Sequence, residues 1–175
     1  TTITRDSIKE RFIFLSTIQH KCPDLDECGM SMYIFNELFF SKLVKNQDNY
    51  GDVKVLSILT DIDGNAINEG PSEELLEQME DYDSDIWWMC YGDPTPLFSW
   101  DYYGKNFMDY DATRSDGEIG KHAFTNSLVI IDQEGCIRGV SGAKKDSDIR
   151  NFFDMLKLLK KVEFDKDWEK RHQKD

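Results

Sequence analysis

The sequence contains few basic residues, and over a long central stretch it contains none. Its 175 residues include 21 Lys and Arg against 34 Asp and Glu, which gives a formal net charge of −13. No Lys or Arg lies between Lys54 and Lys105. Because nucleic-acid binding depends on neutralising phosphates with Lys and Arg, this composition argues against a nucleic-acid partner.

Long apolar runs are also absent. The longest apolar clusters are short segments around residues 12–15 and 128–131, whereas a membrane-spanning helix needs roughly 20 consecutive apolar residues. Any signal peptide or membrane anchor would therefore have to lie outside the chain. With 39% apolar and 13% aromatic residues, we expect one packed domain over residues 1–162, followed by a charged, solvated tail over residues 163–175.

Cysteine is scarce. Four cysteines, Cys22, Cys28, Cys90 and Cys136, are too few for a disulfide scaffold at this length. An even number still allows either a redox pair or a metal site, and composition alone does not choose between these two functions.

The periodicity of apolar residues predicts alternating strands and helices that end in a β-hairpin and a last helix. The predicted strands cover residues 11–17, 53–60, 86–91, 127–132 and 136–140, and the predicted helices cover residues 29–45, 71–81, 96–107 and 147–162. This order is typical of an α/β protein whose sheet is parallel in the middle and antiparallel at one edge. We therefore predict a thioredoxin-like sandwich with a mixed central sheet flanked by helices.

Two cysteines fall where the first strand passes into the first helix. Cys22 lies in the predicted loop, and Cys28 lies at or just before the first helical turn. The positive end of a helix dipole lowers the pKa of a thiol and favours the thiolate. The position indicates a dithiol that either cycles through a disulfide or binds a soft metal, and the simpler alternative is two unrelated loop cysteines.

Two longer segments carry a family resemblance. Residues 17–24 read TIQHKCPD, and residues 120–139 read GKHAFTNSLVIIDQEGCIRG. They resemble the T-x-C-P-D stretch and the His-bearing segment of the SCO/SenC proteins, which are thioredoxin-fold copper proteins of cytochrome oxidase assembly. Residues 86–92 are similar to a strand of that family that ends in a glycine turn. On these motifs the chain, over most of residues 11–160, resembles a divergent bacterial member.

The resemblance implies a copper site with two cysteines and one histidine, which would be Cys22, Cys28 and His122. The ligand types agree with this metal, since thiolates select Cu(I) and imidazole suits both Cu(I) and Cu(II). The resemblance also implies a metallochaperone in an extracytoplasmic compartment, the bacterial periplasm, with a possible membrane anchor beyond the chain. Its expected partner is an oxidase subunit or another redox or copper protein.

The spacing of the two cysteines leaves other functions open. Five residues separate Cys22 from Cys28, whereas the family has three between its cysteines. One alternative is a thiol-disulfide oxidoreductase in which Cys22 is the catalytic nucleophile and Cys28 resolves the mixed disulfide. The absence of proline from His122 to Asn126 argues against a general oxidoreductase of the thioredoxin type. Another alternative is a divergent member that no longer binds copper.

The remaining candidates have simpler interpretations. His20, Met30 and Met32 are reserve ligands, but a solvated loop histidine and core methionines are the more common outcome. Cys90 and Cys136 are interpreted as buried structural cysteines. The adjacent tryptophans of strand 86–91 are interpreted as core or core-rim aromatics, and the ten carboxylates of residues 61–85 as a solvated face.

Overall fold

The computed structural model describes residues 2–19, 35–61, 65–77, 79, 82–93, 127–142 and 145–172, together with short strands at 101–102, 105–106, 108–109 and 123–124. No helix within these ranges is long and apolar enough to span a membrane.

The five strands of the main sheet follow one another in the predicted order, and short elements that were not predicted lie before and between them. In chain order the elements are α1 (Arg5–Ile8), β1 (Phe12–Gln19), a π-helical turn (Phe35–Phe40) that runs into α2 (Ser41–Lys45), α3 (Gln47–Tyr50), β2 (Val53–Thr60), α4 (Glu73–Glu77), β3 (Trp87–Tyr91), β4 (Asp101–Tyr102), β5 (Lys105–Asn106), β6 (Met108–Asp109), β7 (Ala123–Phe124), β8 (Ser127–Ile131), β9 (Ile137–Gly142) and α5 (Asp146–His172).

Five strands form the main sheet in the order β3-β2-β1-β8-β9. Strands β1, β2 and β3 are parallel to one another, whereas β8 is antiparallel to β1 and to β9. The two smaller sheets each pair two short strands, β4 with β5 and β6 with β7. The mixed sheet, parallel on one side and antiparallel at the hairpin edge, is the arrangement that the sequence predicts.

Strand β1 lies in the middle of the sheet and is buried on both faces. Seven of its eight residues are buried, which explains why this segment reads as a continuous apolar run rather than an alternating one. On one face, Phe14 packs against Phe39 and Phe152 with ring centroids 4.9 and 4.7 Å apart. On the other face a smaller cluster forms around Leu15, Ile58 and Val129. Helices α2 and α5 therefore share one core with the sheet.

A buried polar network links the three parallel strands. Ser16 and Ser57 face each other across β1 and β2 with their Oγ atoms 2.7 Å apart. The indole N–H of Trp87 donates to Ser57 Oγ over 2.8 Å. All three side chains are essentially inaccessible to solvent. Since buried polar groups are costly unless they are hydrogen-bonded, this network fixes how the strands pack side by side.

Three helix predictions differ from the structure. The predicted helix 96–107 is wrong where the structure describes it, because residues 101–102 and 105–106 pair as antiparallel strands. Helix α4 is shorter than predicted. The last helix continues ten residues beyond the predicted end at Val162, to His172. Ion pairs one turn apart, Lys166 with Glu163 and Lys170 with Asp167, support this extension, because oppositely charged side chains at this spacing stabilise a helix.

Helix α5 crosses the sheet from one edge to the other. It begins four residues after β9, and its buried residues Phe152 and Phe153 lie in the core. Near the opposite edge, Lys160 forms an ion pair with Asp52 and donates to the carbonyl oxygen of Asn49 over 2.6 Å. These contacts join α5 to the turn before β2.

Candidate functional site

Several strands of the main sheet end or begin at the carboxyl edge of its parallel strands. Gln19 at the end of β1 lies opposite Thr60 at the end of β2, and Leu59 lies opposite Tyr91 of β3. Strand β8 runs in the other direction, so its first residue, Ser127, lies toward the same edge. In open α/β sheets, ligands bind beyond the carboxyl ends of the strands. This edge is therefore the candidate functional site.

The predicted metal ligands belong to segments that leave this edge. Cys22 follows the end of β1 by three residues, and His122 directly precedes β7 and lies five residues before β8. Cys22, Cys28 and His122 themselves lie outside the described residues, as do His20, Met30 and Met32. The ligand set and the catalytic role of the cysteine pair stay predictions.

The helix that follows the cysteine loop contains a buried amide side chain, that of Asn36. Asn36, in the π-helical turn, is 4% exposed, and its Oδ1 atom has no hydrogen-bond partner among the described residues. Its Nδ2 atom lies 3.5 Å from Oε1 of Glu37. Because the helix leads from β1 back to the start of β2, Asn36 lies at its end nearest the carboxyl edge. Single π-helical turns often occur at functional sites.

The sequence analysis overlooked Asn36, although the pattern contains a signal. Positions 36, 40 and 43 share one helical face at spacings of four and three, and Phe40 and Leu43 are fully buried. An amide at a core position of this kind indicates a specific polar function or a bound water.

Cys90 lies one residue before the end of β3 and is half-buried. Burial raises the pKa of its thiol, so the neutral, weakly nucleophilic form predominates at neutral pH. The following glycine, Gly92, has a φ of 151°, a conformation that glycine adopts readily and other residues rarely. Cys136, by contrast, is exposed, so the expectation that it is buried is wrong. Its position at the hairpin turn, outside the sheet core, explains this exposure.

The two adjacent tryptophans differ in burial, since Trp87 lies in the core and Trp88 at its rim. Trp87 is fully buried and packs on Phe40 with ring centroids 4.9 Å apart. Trp88 points to the opposite face of the sheet and is half-buried, with the guanidinium of Arg11 5.6 Å from its ring centroid. The interpretation of both as core or core-rim aromatics is confirmed.

The hairpin turn between β8 and β9 lies at the other edge of the sheet and is held by Asp132. Oδ1 of Asp132 accepts the backbone N–H groups of Glu134 and Cys136 at 3.0 and 2.8 Å. Its Oδ2 accepts from Nε of Arg138. Burial alone would raise the pKa of Asp132, but the hydrogen bonds from Cys136 and Arg138 outweigh it and hold the pKa below its usual value. Gly135 completes the turn with a φ of 83°.

The same turn brings three metal-ligand types together. Atoms of Asp132, Glu134 and Cys136 lie within 4.8 Å of one another. Both carboxylate oxygens of Asp132 are already engaged by donors of the turn, so this group serves the turn rather than a cation.

Comparison with known proteins identifies the fold. No known sequence family and no curated protein matches the chain. Solved structures do match, and they confirm a thioredoxin-like α/β fold.

The matching structures are SCO proteins. A SCO1/SenC family lipoprotein from Bacillus anthracis str. Ames aligns with a TM-score of 0.58 at 16% sequence identity, over 88% of this chain and 84% of that chain. Yeast Sco1 aligns with a TM-score of 0.50 at 14% identity, over 90% of this chain and 87% of that chain. The chain therefore shares the fold of the SCO proteins along nearly its whole length.

Proposed function

We propose that this chain is a divergent SCO/SenC protein that binds copper for cytochrome oxidase assembly. The shared fold supports this proposal together with the two sequence motifs, one of which includes the end of β1 and the other β8. Fold alone does not define a function, so the argument depends on the proposed site.

The observation that carries the proposal is the adjacency of β1 and β8. Three residues of chain reach at most about 10 Å, so Cys22 stays close to the end of β1. Strands β1 and β8 are hydrogen-bonded neighbours, which lie about 5 Å apart. The segments with the cysteines and with His122 therefore leave the sheet from adjacent strands at one edge, although they are a hundred residues apart in sequence. This adjacency supports a common site.

The proposed ligands suit the transport of copper. Two thiolates and one imidazole form a soft set that favours Cu(I) and tolerates Cu(II). A set of three protein ligands leaves room for a donor from a partner, which allows the metal to pass on by exchange of ligands. The neutral thiol of Cys90 is a poor competitor for the metal, because its raised pKa disfavours the thiolate.

The proposed cellular setting is an extracytoplasmic compartment, with the domain held at a membrane and copper delivered to an oxidase subunit. The Bacillus anthracis protein of the same fold is a lipoprotein, which supports this setting. The acidic net charge also favours a partner with a basic surface.

The test is an anaerobic Cu(I) titration of fully reduced protein against a strong chelator. We expect one Cu(I) per chain in the wild type, and loss of chelator-resistant binding in the double variant Cys22→Ser, Cys28→Ser and in His122→Ala. The matched control replaces the other two cysteines, Cys90→Ser and Cys136→Ser, and should bind like the wild type.

Two results would overturn the copper function. Binding that survives in the Cys22→Ser, Cys28→Ser variant but is lost in the control would place the metal elsewhere. Absence of binding in the wild type would leave the thiol-disulfide alternative, which a measurable dithiol reduction potential and turnover independent of His122 would then support.

A further inference from the structure

The C-terminal part of helix α5 exposes several large apolar side chains. The helix has 27 residues and is therefore about 40 Å long at 1.5 Å per residue. Its last fully buried residue is Leu156. Beyond it, four large apolar side chains are exposed to solvent by about half or more, namely Leu158 at 66%, Val162 at 49%, Phe164 at 62% and Trp168 at 51%.

Three of the four exposed apolar side chains lie away from the buried side of α5. At about 100° per residue, Leu158 lies opposite the buried positions 149, 152, 153 and 156, Val162 and Trp168 lie to either side of Leu158, and Phe164 lies closer to the buried side. Six exposed positions of α5 follow one another at alternating intervals of four and three residues, namely 154, 158, 161, 165, 168 and 172. That spacing is typical of the contact seam of a coiled coil.

We propose that this outer face of α5, residues 154–172, pairs antiparallel with the same face of a second copy of the chain. When the two helices are centred on Glu163, positions equally far from residue 163 come level. Leu158 then meets Trp168 of the second copy, and Lys161 meets Asp165 of the second copy.

The remaining positions of the face agree with this register. Asp154 comes level with His172 of the second copy, which gives a polar pair at each end of the contact. On the flanks, Val162 and Phe164 lie near the two-fold axis. A two-fold contact requires a surface that is complementary to itself, and in this register the apolar seam residues Leu158 and Trp168 meet each other, while the charged seam residues Lys161 and Asp165 meet with opposite sign.

The charges select the antiparallel direction. A parallel pair would place Lys161 against Lys161 and Asp165 against Asp165, which is repulsive. A polar pair within an apolar seam commonly fixes register and orientation in coiled coils. The ring of Trp168 is already held by stacking on His172, with centroids 4.1 Å apart, which reduces the entropy lost on association.

The contact leaves the rest of the molecule unchanged. The ion pairs of Lys160 with Asp52 and of Lys166 with Glu163 lie away from the seam, and the six seam positions are exposed. Because one helix face is small compared with a standard interface, we expect a reversible dimer that forms with increasing concentration.

The test is sedimentation equilibrium of the whole chain over a wide range of concentrations. The wild type should show a monomer–dimer equilibrium. Lys161→Asp places like charges together, and so does Asp165→Lys, so each should raise the dissociation constant about tenfold or more. The exchanged variant Lys161→Asp, Asp165→Lys should dimerise again, and an equal mixture of the two single variants should form a heterodimer.

Control variants distinguish an effect of the pairing register on dimerisation from an effect of net charge. Lys170→Asp and Asp167→Lys change the charge by the same amounts but lie off the outer face, and they should dimerise like the wild type. Far-UV circular dichroism checks that every variant remains helical. A wild type that stays monomeric at all concentrations overturns the proposal. Single variants that associate as well as the wild type also overturn it, because a parallel pair or another surface would behave in that way.

Discussion

Replacing Asp132 with Asn tests the account of the hairpin turn most directly. The substitution keeps the shape of the side chain but removes its charge. The carboxylate accepts two backbone N–H groups and the guanidinium of Arg138, and its side chain is 2% exposed. All of these hydrogen bonds weaken together when the acceptor becomes neutral.

The magnitude follows from the number and type of these bonds. A hydrogen bond to a charged group contributes about 1.5–3 kcal/mol, and one between neutral groups about 0.5–1.5 kcal/mol. Three bonds that each lose about 1 kcal/mol, with some relief because Arg138 is 38% exposed, lower the free energy of unfolding by about 2–3 kcal/mol. For a domain of this size, that corresponds to a decrease in Tm of roughly 5–10 °C.

The effect depends on pH with a definite sign. The pKa of Asp132 is lowered in the folded state, so its contribution is fully present above the unfolded-state pKa of about 3.9. It is lost as the pH falls through the lower, folded-state pKa. The difference between wild type and Asp132→Asn should therefore be constant from pH 6 to 7 and decrease below about pH 4.

Urea unfolding followed by circular dichroism at several pH values measures this difference. Glu134→Gln is the matched control, because it removes the same charge from an exposed residue of the same turn and should change stability by less than about 0.5 kcal/mol. A loss under 0.5 kcal/mol at pH 7 for Asp132→Asn, or a loss that does not shrink in acid, would refute the reasoning.

Three further predictions concern the core and a thiol. Ser57→Ala removes the acceptor that the indole of Trp87 uses at 2.8 Å and should cost about 1–3 kcal/mol in urea unfolding. Gly139→Ala would place a methyl group 2.0 Å from Sδ of Met155 and should cost about 1–3 kcal/mol, with part of the loss recovered when Met155→Ala is added. The raised pKa of the Cys90 thiol should make its alkylation slower than in the urea-unfolded chain and shift the rise in rate to higher pH, as peptide mass spectrometry would show.

The strands were predictable because buried strands appear in the sequence as short runs of apolar residues. Strand β2 has the predicted bounds, and β1 differs by two residues at its end. The hairpin was recognisable because a glycine with positive φ ends its turn. By contrast, residues 96–107 are rich in aromatic residues that suit both helices and strands, and the pairing of residues 101–102 with 105–106 decided the outcome. The end of α5 was missed because mixed charges suggest a solvated tail, whereas their spacing of three stabilises a helix.

The candidate site was predictable as a location and less so in its details. The strand-to-helix junction and the segment before the strand that begins at residue 127 follow from the order of the elements, and the sheet brings the ends of both strands to one edge. Asn36 could not be identified in the same way, because whether its oxygen lacks a partner depends on side-chain packing around a π-helical turn. The roles of Asp132 and Arg138 were likewise hidden, since a motif does not reveal whether its residues hold a ligand or a turn.

The extension of α5 also brings an excess of basic residues together at one end of the helix. Residues 157–172 contain six Lys or Arg against four Asp or Glu, while the whole chain carries −13. This part of α5 is therefore a locally basic segment of an acidic chain. A cationic surface attracts the chain as a whole but repels this segment, and added salt weakens both effects.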